Sequence, residues 1–159
     1  MPCRFWLAAS PYGRRIFLRK VTIIIDGGCC PNPGPGGWGA FYNFWDGETM
    51  RRSGGEEATT NNRMELGAVL HALEVLSEPC DILFKTDSQL VVQYLTTTGA
   101  KSRNVFLMAI HEQIVRAVRQ GGHKVRVLKV TDNETLIPHA LAEAEYKKFV
   151  AKPLDMVLN

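Results

Sequence analysis

The sequence predicts an α/β layer fold in which a mixed five-stranded sheet, part antiparallel and part parallel, is covered by helices. Two patterns carry that prediction. Three strand-like runs follow one another early in the chain with turn signals between them, and short apolar runs then alternate with helical stripes. A third observation sets the scale: 159 residues, 45% apolar and 22% charged, match one globular domain with a core of its own. That composition excludes a disordered, collagen-like or coiled-coil chain.

The elements follow in order. Val21 to Ile25 is an apolar run that reads as a buried strand ending at Asp26. The segment DGGCCPNPGPGG forces turns. Trp38 to Trp45 and Glu48 to Ser53 read as strands, with Asp46-Gly47 between them as a two-residue hairpin signal. The period then changes. Leu66, Val69, Leu70, Leu73 and Leu76 form one helical stripe, preceded by Asn62 and Glu65 at capping-box spacing, so a helix is expected from Arg63 to Ser77. Asp81 to Thr86 reads as a buried strand and Asp87 to Leu95 as a short helix. Leu107, Ile110, Ile114 and Val118 mark a further helical stripe, and Val125 to Val130 another strand. The last helix is expected to start at Pro138, suited to a first turn, and to run through Leu141 and Tyr146 toward Phe149. The order reads βββαβαβα.

The net charge of +3 is a property of the N-terminal segment. Met1 to Lys20 contains Arg4, Arg14, Arg15, Arg19 and Lys20 and no acid, which leaves 14 basic against 16 acidic residues in the remainder. The division expected is a basic extension over residues 1–19, a catalytic domain over 20–150 and a tail over 151–159. No apolar run approaches the roughly 18 residues of a membrane-spanning helix, and Phe5 to Ala9 is too short for a secretory leader, so a cytoplasmic protein without membrane attachment is expected. Cys3, Cys29, Cys30 and Cys80 have no zinc-like spacing and are read as reduced thiols, Cys29 and Cys30 as small turn-filling residues. His71, His111 and His123 lack partners at metal-ligand spacing and read as surface or packing residues.

Taken singly, the acids Asp26, Glu65 and Asp87 are ambiguous. A carboxylate ending an apolar strand is costly to bury unless paired or metal-bound, yet Asp26 also suits a turn. Glu65 suits a capping box and Asp87 an N-cap. Their surroundings change the weighing, because all three lie within IIIDGGCCPNPGPGGWGA, TTNNRMELGAVLHALE and FKTDSQLVVQYL. In these strings the sequence closely resembles type I ribonuclease H, over roughly Lys20 to Lys148 and in the family's order. The resemblance implies the ribonuclease H-like fold and hydrolysis of the RNA strand of an RNA/DNA hybrid, leaving 5′-phosphate and 3′-hydroxyl ends. It implies Asp26, Glu65 and Asp87 as metal-binding carboxylates for two Mg²⁺ or Mn²⁺ ions, with Asp26 bridging. Hard cations take oxygen ligands, which is why acids would cluster there. Asn32, Asn61, Asn62 and Gln89 match positions that touch the hybrid, and Ser88 is read as a phosphate contact or a cap. Short polar groups of this kind suit recognition of shape and of the 2′-hydroxyl rather than of base sequence.

Three departures from the family stand out. Its last helix usually begins ADxLA, whereas this chain has Pro138-His139-Ala140-Leu141-Ala142, so His139 stands where the fourth carboxylate is expected. As a ligand, an imidazole suits Mn²⁺ better than Mg²⁺; otherwise His139 caps or packs the helix start. Val130 to Glu134 lacks the histidine-containing glycine loop of many bacterial members. Thr96 to Arg103 offers only Lys101 and Arg103 in place of an extra basic helix, which leaves Arg4 to Lys20 as a hybrid grip, with Trp6 or Tyr12 for stacking, or Arg15 to Lys20 as an added edge strand.

The expectation is therefore a monomeric, metal-dependent ribonuclease whose partner is an RNA/DNA hybrid. The alternative is a hybrid-binding module with weakened catalysis, against which the intact motifs around Asp26, Glu65 and Asp87 argue. A third reading is the nuclease module of a larger reverse transcriptase-like polyprotein, although these 159 residues hold no polymerase portion.

Overall fold

The computed structural model describes residues 7–9, 15–97 and 103–150. Their elements are β1 (Leu7–Ala9), β2 (Arg15–Phe17), β3 (Arg19–Cys29), β4 (Gly34–Phe44), β5 (Thr49–Thr59), α1 (Asn61–Glu74), β6 (Cys80–Thr86), α2 (Gln89–Thr96), α3 (Val105–Gly121), β7 (Lys124–Lys129), a 3-10 turn (Asp132–Glu134) and α4 (Leu136–Val150). The main sheet has five strands in the order β5-β4-β3-β6-β7. The pairs β3–β4 and β4–β5 are antiparallel, while β3–β6 and β6–β7 are parallel. This is the expected mixed α/β layer fold.

Alternation along the strands builds two layers of helices. Val21, Ile23 and Ile25 of β3, Ala40, Tyr42 and Phe44 of β4, and Ile82 and Phe84 of β6 are buried in one core with Leu66, Val69, Leu70 and Leu73 of α1 and with Val91, Leu107 and Ile114. Burying each such large side chain is worth about 1.5 to 3 kcal/mol. The Tyr42 hydroxyl donates to the Ala72 carbonyl at 3.0 Å, so the one polar atom of that ring is matched. Helix α4 lies on the opposite face, against the alternate positions Gly37 and Gly39 of β4.

Several boundaries differ from the sequence reading, each for a local reason. Thr60, not Asn62, caps α1: its side chain accepts from the Arg63 N–H at 3.3 Å, which moves the helix start to Asn61 and takes Glu65 out of a capping box. The β4–β5 hairpin closes through Trp45, Asp46 and Gly47 rather than through two residues. Gly47 N–H donates to the Phe44 carbonyl and Phe44 N–H to Glu48, with Gly47 at φ 95°, the left-handed residue of a bulged turn. Strand β5 runs on to Thr59, past Ser53, its polar string tolerated because it is an edge. Two successive helices, α2 and α3, lie between β6 and β7, where the short helix after Asp87 and the stripe from Leu107 to Val118 are expected, so the order βββαβαβα counts one helix too few. Helix α4 starts two residues before Pro138, and the His139 N–H donates to the Thr135 carbonyl at 2.9 Å.

The stretch Arg15 to Lys20 is not an edge strand of the main sheet. Arg15–Phe17 pairs antiparallel with Leu7–Ala9 in a separate two-stranded sheet, and Arg19 and Lys20 open the central strand β3. The expectations for Arg4, Trp6, Tyr12, Arg14, Lys101 and the tail over 151–159 lie outside the described residues. Among the described residues, no helix is long and apolar enough to cross a membrane.

Candidate active site

Asp26 sits near the carboxyl end of β3, 9% exposed, its Oδ1 accepting the Gly27 N–H at 2.9 Å. The next residue explains what lies beside it. A Cβ at Gly27 would stand 2.4 to 2.5 Å from the backbone of Met64 and Glu65, so α1 crosses β3 at backbone contact and brings Glu65 to Asp26. Strands β3 and β6 run parallel with Ile24 opposite Lys85, and two further residues in that register carry Asp26 and Asp87 to neighbouring strand ends. On the other flank, Asp26 pairs with Gly39 of β4. A Cβ at Gly39 would lie 2.2 Å from the Pro138 carbonyl oxygen, so α4 also rests directly on the sheet, and the residue after Pro138 is His139. Its Nδ1 stands 2.7 Å from Asp26 Oδ2 while most of the side chain remains exposed. Asp26, Glu65, Asp87 and His139 thus gather at one end of the sheet.

The electrostatics are those of crowded acids. Burial pushes the Asp26 carboxyl up, the hydrogen bond to His139 opposes this, and Asp87 pushes it up further. Burial likewise raises Glu65, opposed by a hydrogen bond from Ser88 and reinforced by the charges of Asp26 and Asp87. Each of these two carboxyls is thus held up by burial and by the charge of a neighbouring acid. Among the described residues, no three His, Cys, Asp or Glu side chains already stand round a common point as a metal cage. The donor set nonetheless fits a hard divalent cation: carboxylate oxygens from β3, from α1 and from just after β6, with mutual repulsion that a cation would relieve.

The remaining sequence candidates fall around these acids. Ser88 is 8% exposed; its hydroxyl donates to Glu65 Oε2 and accepts the Val91 N–H at 3.2 Å, so it caps α2 and holds Glu65 at once. Asn32 is exposed, and its Oδ1 accepts the Asn61 N–H at 3.2 Å, tying the glycine-proline turn to the start of α1. Asn61 has a buried Oδ1 with no protein partner, and Asn62 is exposed. Gln89 is exposed on the first turn of α2, its Oε1 accepting from Lys129 Nζ at 3.2 Å.

Sequence reasoning missed Thr135. It is 2% exposed, and its hydroxyl approaches Asp87 Oδ2 at 3.3 Å and the Asp132 carbonyl at 3.0 Å. The signal available was a hydroxyl residue directly before the last helix, four positions ahead of His139. Within the preceding loop, Glu134 pairs with Lys85 at 3.6 Å. Cys29, His71, His111 and His123 have packing roles. The buried Cys29 thiol, pushed up by burial, donates to the carbonyls of Pro31 and Gly34 at 3.1 and 3.2 Å and fills the turn. His71 stacks on Trp38, His111 meets the Tyr94 ring edge-on, and His123 Nδ1 accepts the Cys80 N–H at 3.1 Å.

Comparison with known proteins agrees with this fold. A family model described as RNase H matches residues 19–135, a span that holds Asp26, Glu65 and Asp87 and stops short of His139. The chain is 54% identical over 77 residues to Ribonuclease H of Anaplasma marginale (strain St. Maries), covering 48% of this chain and 50% of that protein. It is 55% identical over 79 residues to Ribonuclease H of Bradyrhizobium diazoefficiens, covering 50% and 51%. The match spans about half the length of these relatives. Among solved structures, RNase H1 from the halophilic archaeon Halobacterium salinarum NRC-1 is similar with a TM-score of 0.72 at 25% identity, over 81% of this chain and 98% of that one. LC11-RNase H1 in complex with an RNA/DNA hybrid shares the fold, with a TM-score of 0.73 at 22% identity over 82% and 99%.

Proposed function

This chain belongs to the ribonuclease H family, and we propose that it is a metal-dependent endonuclease that hydrolyses the RNA strand of RNA/DNA hybrids, leaving 5′-phosphate and 3′-hydroxyl ends. The observation that carries the proposal is the convergence of Asp26 of β3, Glu65 of α1 and Asp87, just after β6, at one end of the sheet beside His139. Two divalent ions held there would supply an activated water and stabilise the leaving 3′-oxygen. The chain's own residues set the stage for that chemistry. Asp26 is the central ligand, fixed through Oδ1 by the Gly27 N–H. Glu65 is oriented by the Ser88 hydroxyl and Asp87 by its place on the strand end next to Asp26.

His139 gives the site its individual character. Its Nδ1 engages the Asp26 oxygen directly, so the ring already takes up one acceptor position of the central acid. In this reading, nitrogen in place of a fourth carboxylate weakens retention of the second ion and favours Mn²⁺ over Mg²⁺. Asn32, Asn61, Asn62 and Gln89 are the substrate-facing amides, and of these Asn32, Asn62 and Gln89 stand exposed at the surface.

The test is cleavage of a labelled RNA/DNA hybrid, with single-stranded RNA and duplex DNA as controls, in Mg²⁺ and in Mn²⁺, by the parent and by His139→Asp. Hybrid-only cleavage, stronger in Mn²⁺ for the parent and shifted toward Mg²⁺ by the aspartate, is the expected result. Hybrid binding without cleavage in either metal would replace the proposal with a binding module.

A further inference from the structure

We propose that Thr135 is a positioning residue that fixes the Asp87 carboxylate for metal binding; this rests on the ribonuclease reading of the site. Thr135 is one of the few buried polar residues, 2% exposed, and it lies at the junction of the 3-10 turn and α4. Three contacts tie that junction together. The Thr135 N–H donates to the Asp132 carbonyl at 3.2 Å, the Thr135 carbonyl accepts the His139 N–H at 2.9 Å, and the hydroxyl lies between the Asp132 carbonyl and Asp87 Oδ2. The one hydroxyl proton is shared between two acceptors, the Asp132 carbonyl at 3.0 Å and Asp87 Oδ2 at 3.3 Å.

The consequence is a division of labour between two hydroxyls. Ser88 holds Glu65 and Thr135 holds Asp87. Of the two, only Thr135 also begins α4, the helix that delivers His139 to Asp26. The same residue therefore sets both the orientation of one acid and the start of the segment that carries the imidazole. Outer partners that orient ligating carboxylates commonly change metal affinity 10- to 100-fold when removed.

The decisive comparison is Thr135→Ser against Thr135→Ala, because both lose the methyl group and only alanine loses the hydroxyl. Binding of Mn²⁺ alone is measured by calorimetry, alongside the metal concentration that half-activates hybrid cleavage and the melting temperature. Expected are near-parental values for serine and, for alanine, about a 10-fold rise in both the Mn²⁺ dissociation constant and the half-activating concentration. Equal Mn²⁺ affinity in the serine and alanine variants, whether both parental or both weakened, would overturn the role of the hydroxyl. A parent that binds Mn²⁺ but cleaves no hybrid would overturn the ribonuclease reading and leave the Thr135 comparison standing.

Discussion

Replacing Gly39 by alanine should damage stability and catalysis together, because Gly39 is where the sheet meets α4 at backbone contact. The new Cβ would lie 2.2 Å from the Pro138 carbonyl oxygen and 2.8 Å from Leu141 Cβ, whereas real Cβ atoms essentially never approach closer than 3.0 Å. The helix must therefore lift, or the central part of β4 must sink, by about 1 Å. Neither movement is easy, since β4 is hydrogen-bonded on both sides and its other face is packed into the core. Overpacking of this kind costs about 1 to 3 kcal/mol, offset by roughly 0.5 to 1 kcal/mol from the stiffer unfolded chain. A net loss near 1.5 kcal/mol corresponds to a melting temperature lower by about 3 to 6 °C. The displaced segment carries His139, so hybrid cleavage should fall by more than the stability loss explains, by roughly 10- to 100-fold with the variant still folded. Calorimetric melting and cleavage kinetics at a temperature well below the transition measure both quantities. An alanine variant with parental melting and parental turnover would refute the claim that this backbone contact sets the site.

Asp26→Asn should abolish measurable hybrid cleavage, a loss of at least about 3 kcal/mol of transition-state stabilisation, while melting at or above the parental temperature; burial disfavours the ionised form, so removing the charge relieves a cost. Gly67→Ala should stabilise the protein by about 0.5 to 1 kcal/mol with activity unchanged, since Gly67 lies inside α1 and a Cβ there meets nothing within 4 Å; a fall in the denaturant midpoint would contradict the helix packing described. Burial lowers the pKa of His123, whose Nδ1 accepts from Cys80 only when unprotonated. The unfolded chain therefore binds this proton more readily, and stability from His123 is complete above about pH 6.5 and lost as pH falls toward the depressed folded value. The difference in urea midpoint between the parent and His123→Gln should shrink from pH 7.5 to pH 5.5, and a pH-independent difference would count against the contact.

The layers of the fold were legible because hydrophobic period follows directly from backbone geometry. Val21, Ile23 and Ile25 enter the core as the strand reading required, and Leu66, Val69, Leu70 and Leu73 form the stripe that α1 buries. Edges and caps were less so. Strand β5 continues through Arg51-Arg52-Ser53-Gly54-Gly55, where an edge position removes the apolar signal. Either of two neighbouring residues, Thr60 or Asn62, offers a plausible cap, and only the path of the chain out of β5 decides for Thr60. The site divides in the same way. Asp26, Glu65 and Asp87 were found through their surrounding strings, but the contacts of Asp87 with Thr135 and of Asp26 with His139 join residues 48 and 113 positions apart. No local period or spacing encodes such pairs; they arise from α4 settling on Gly37 and Gly39.

That separation also has a meaning in time. A ribosome adding about 5 to 20 residues per second makes His139 roughly 6 to 23 s after Asp26. Through the later part of this interval β3, β4, β5, α1 and β6, which carry or flank the three acids, are already synthesised, while α4, which carries His139, is not. Before α4 docks, the acids are without the His139 imidazole beside Asp26. Only when the last helix docks does the protein acquire the histidine that distinguishes it.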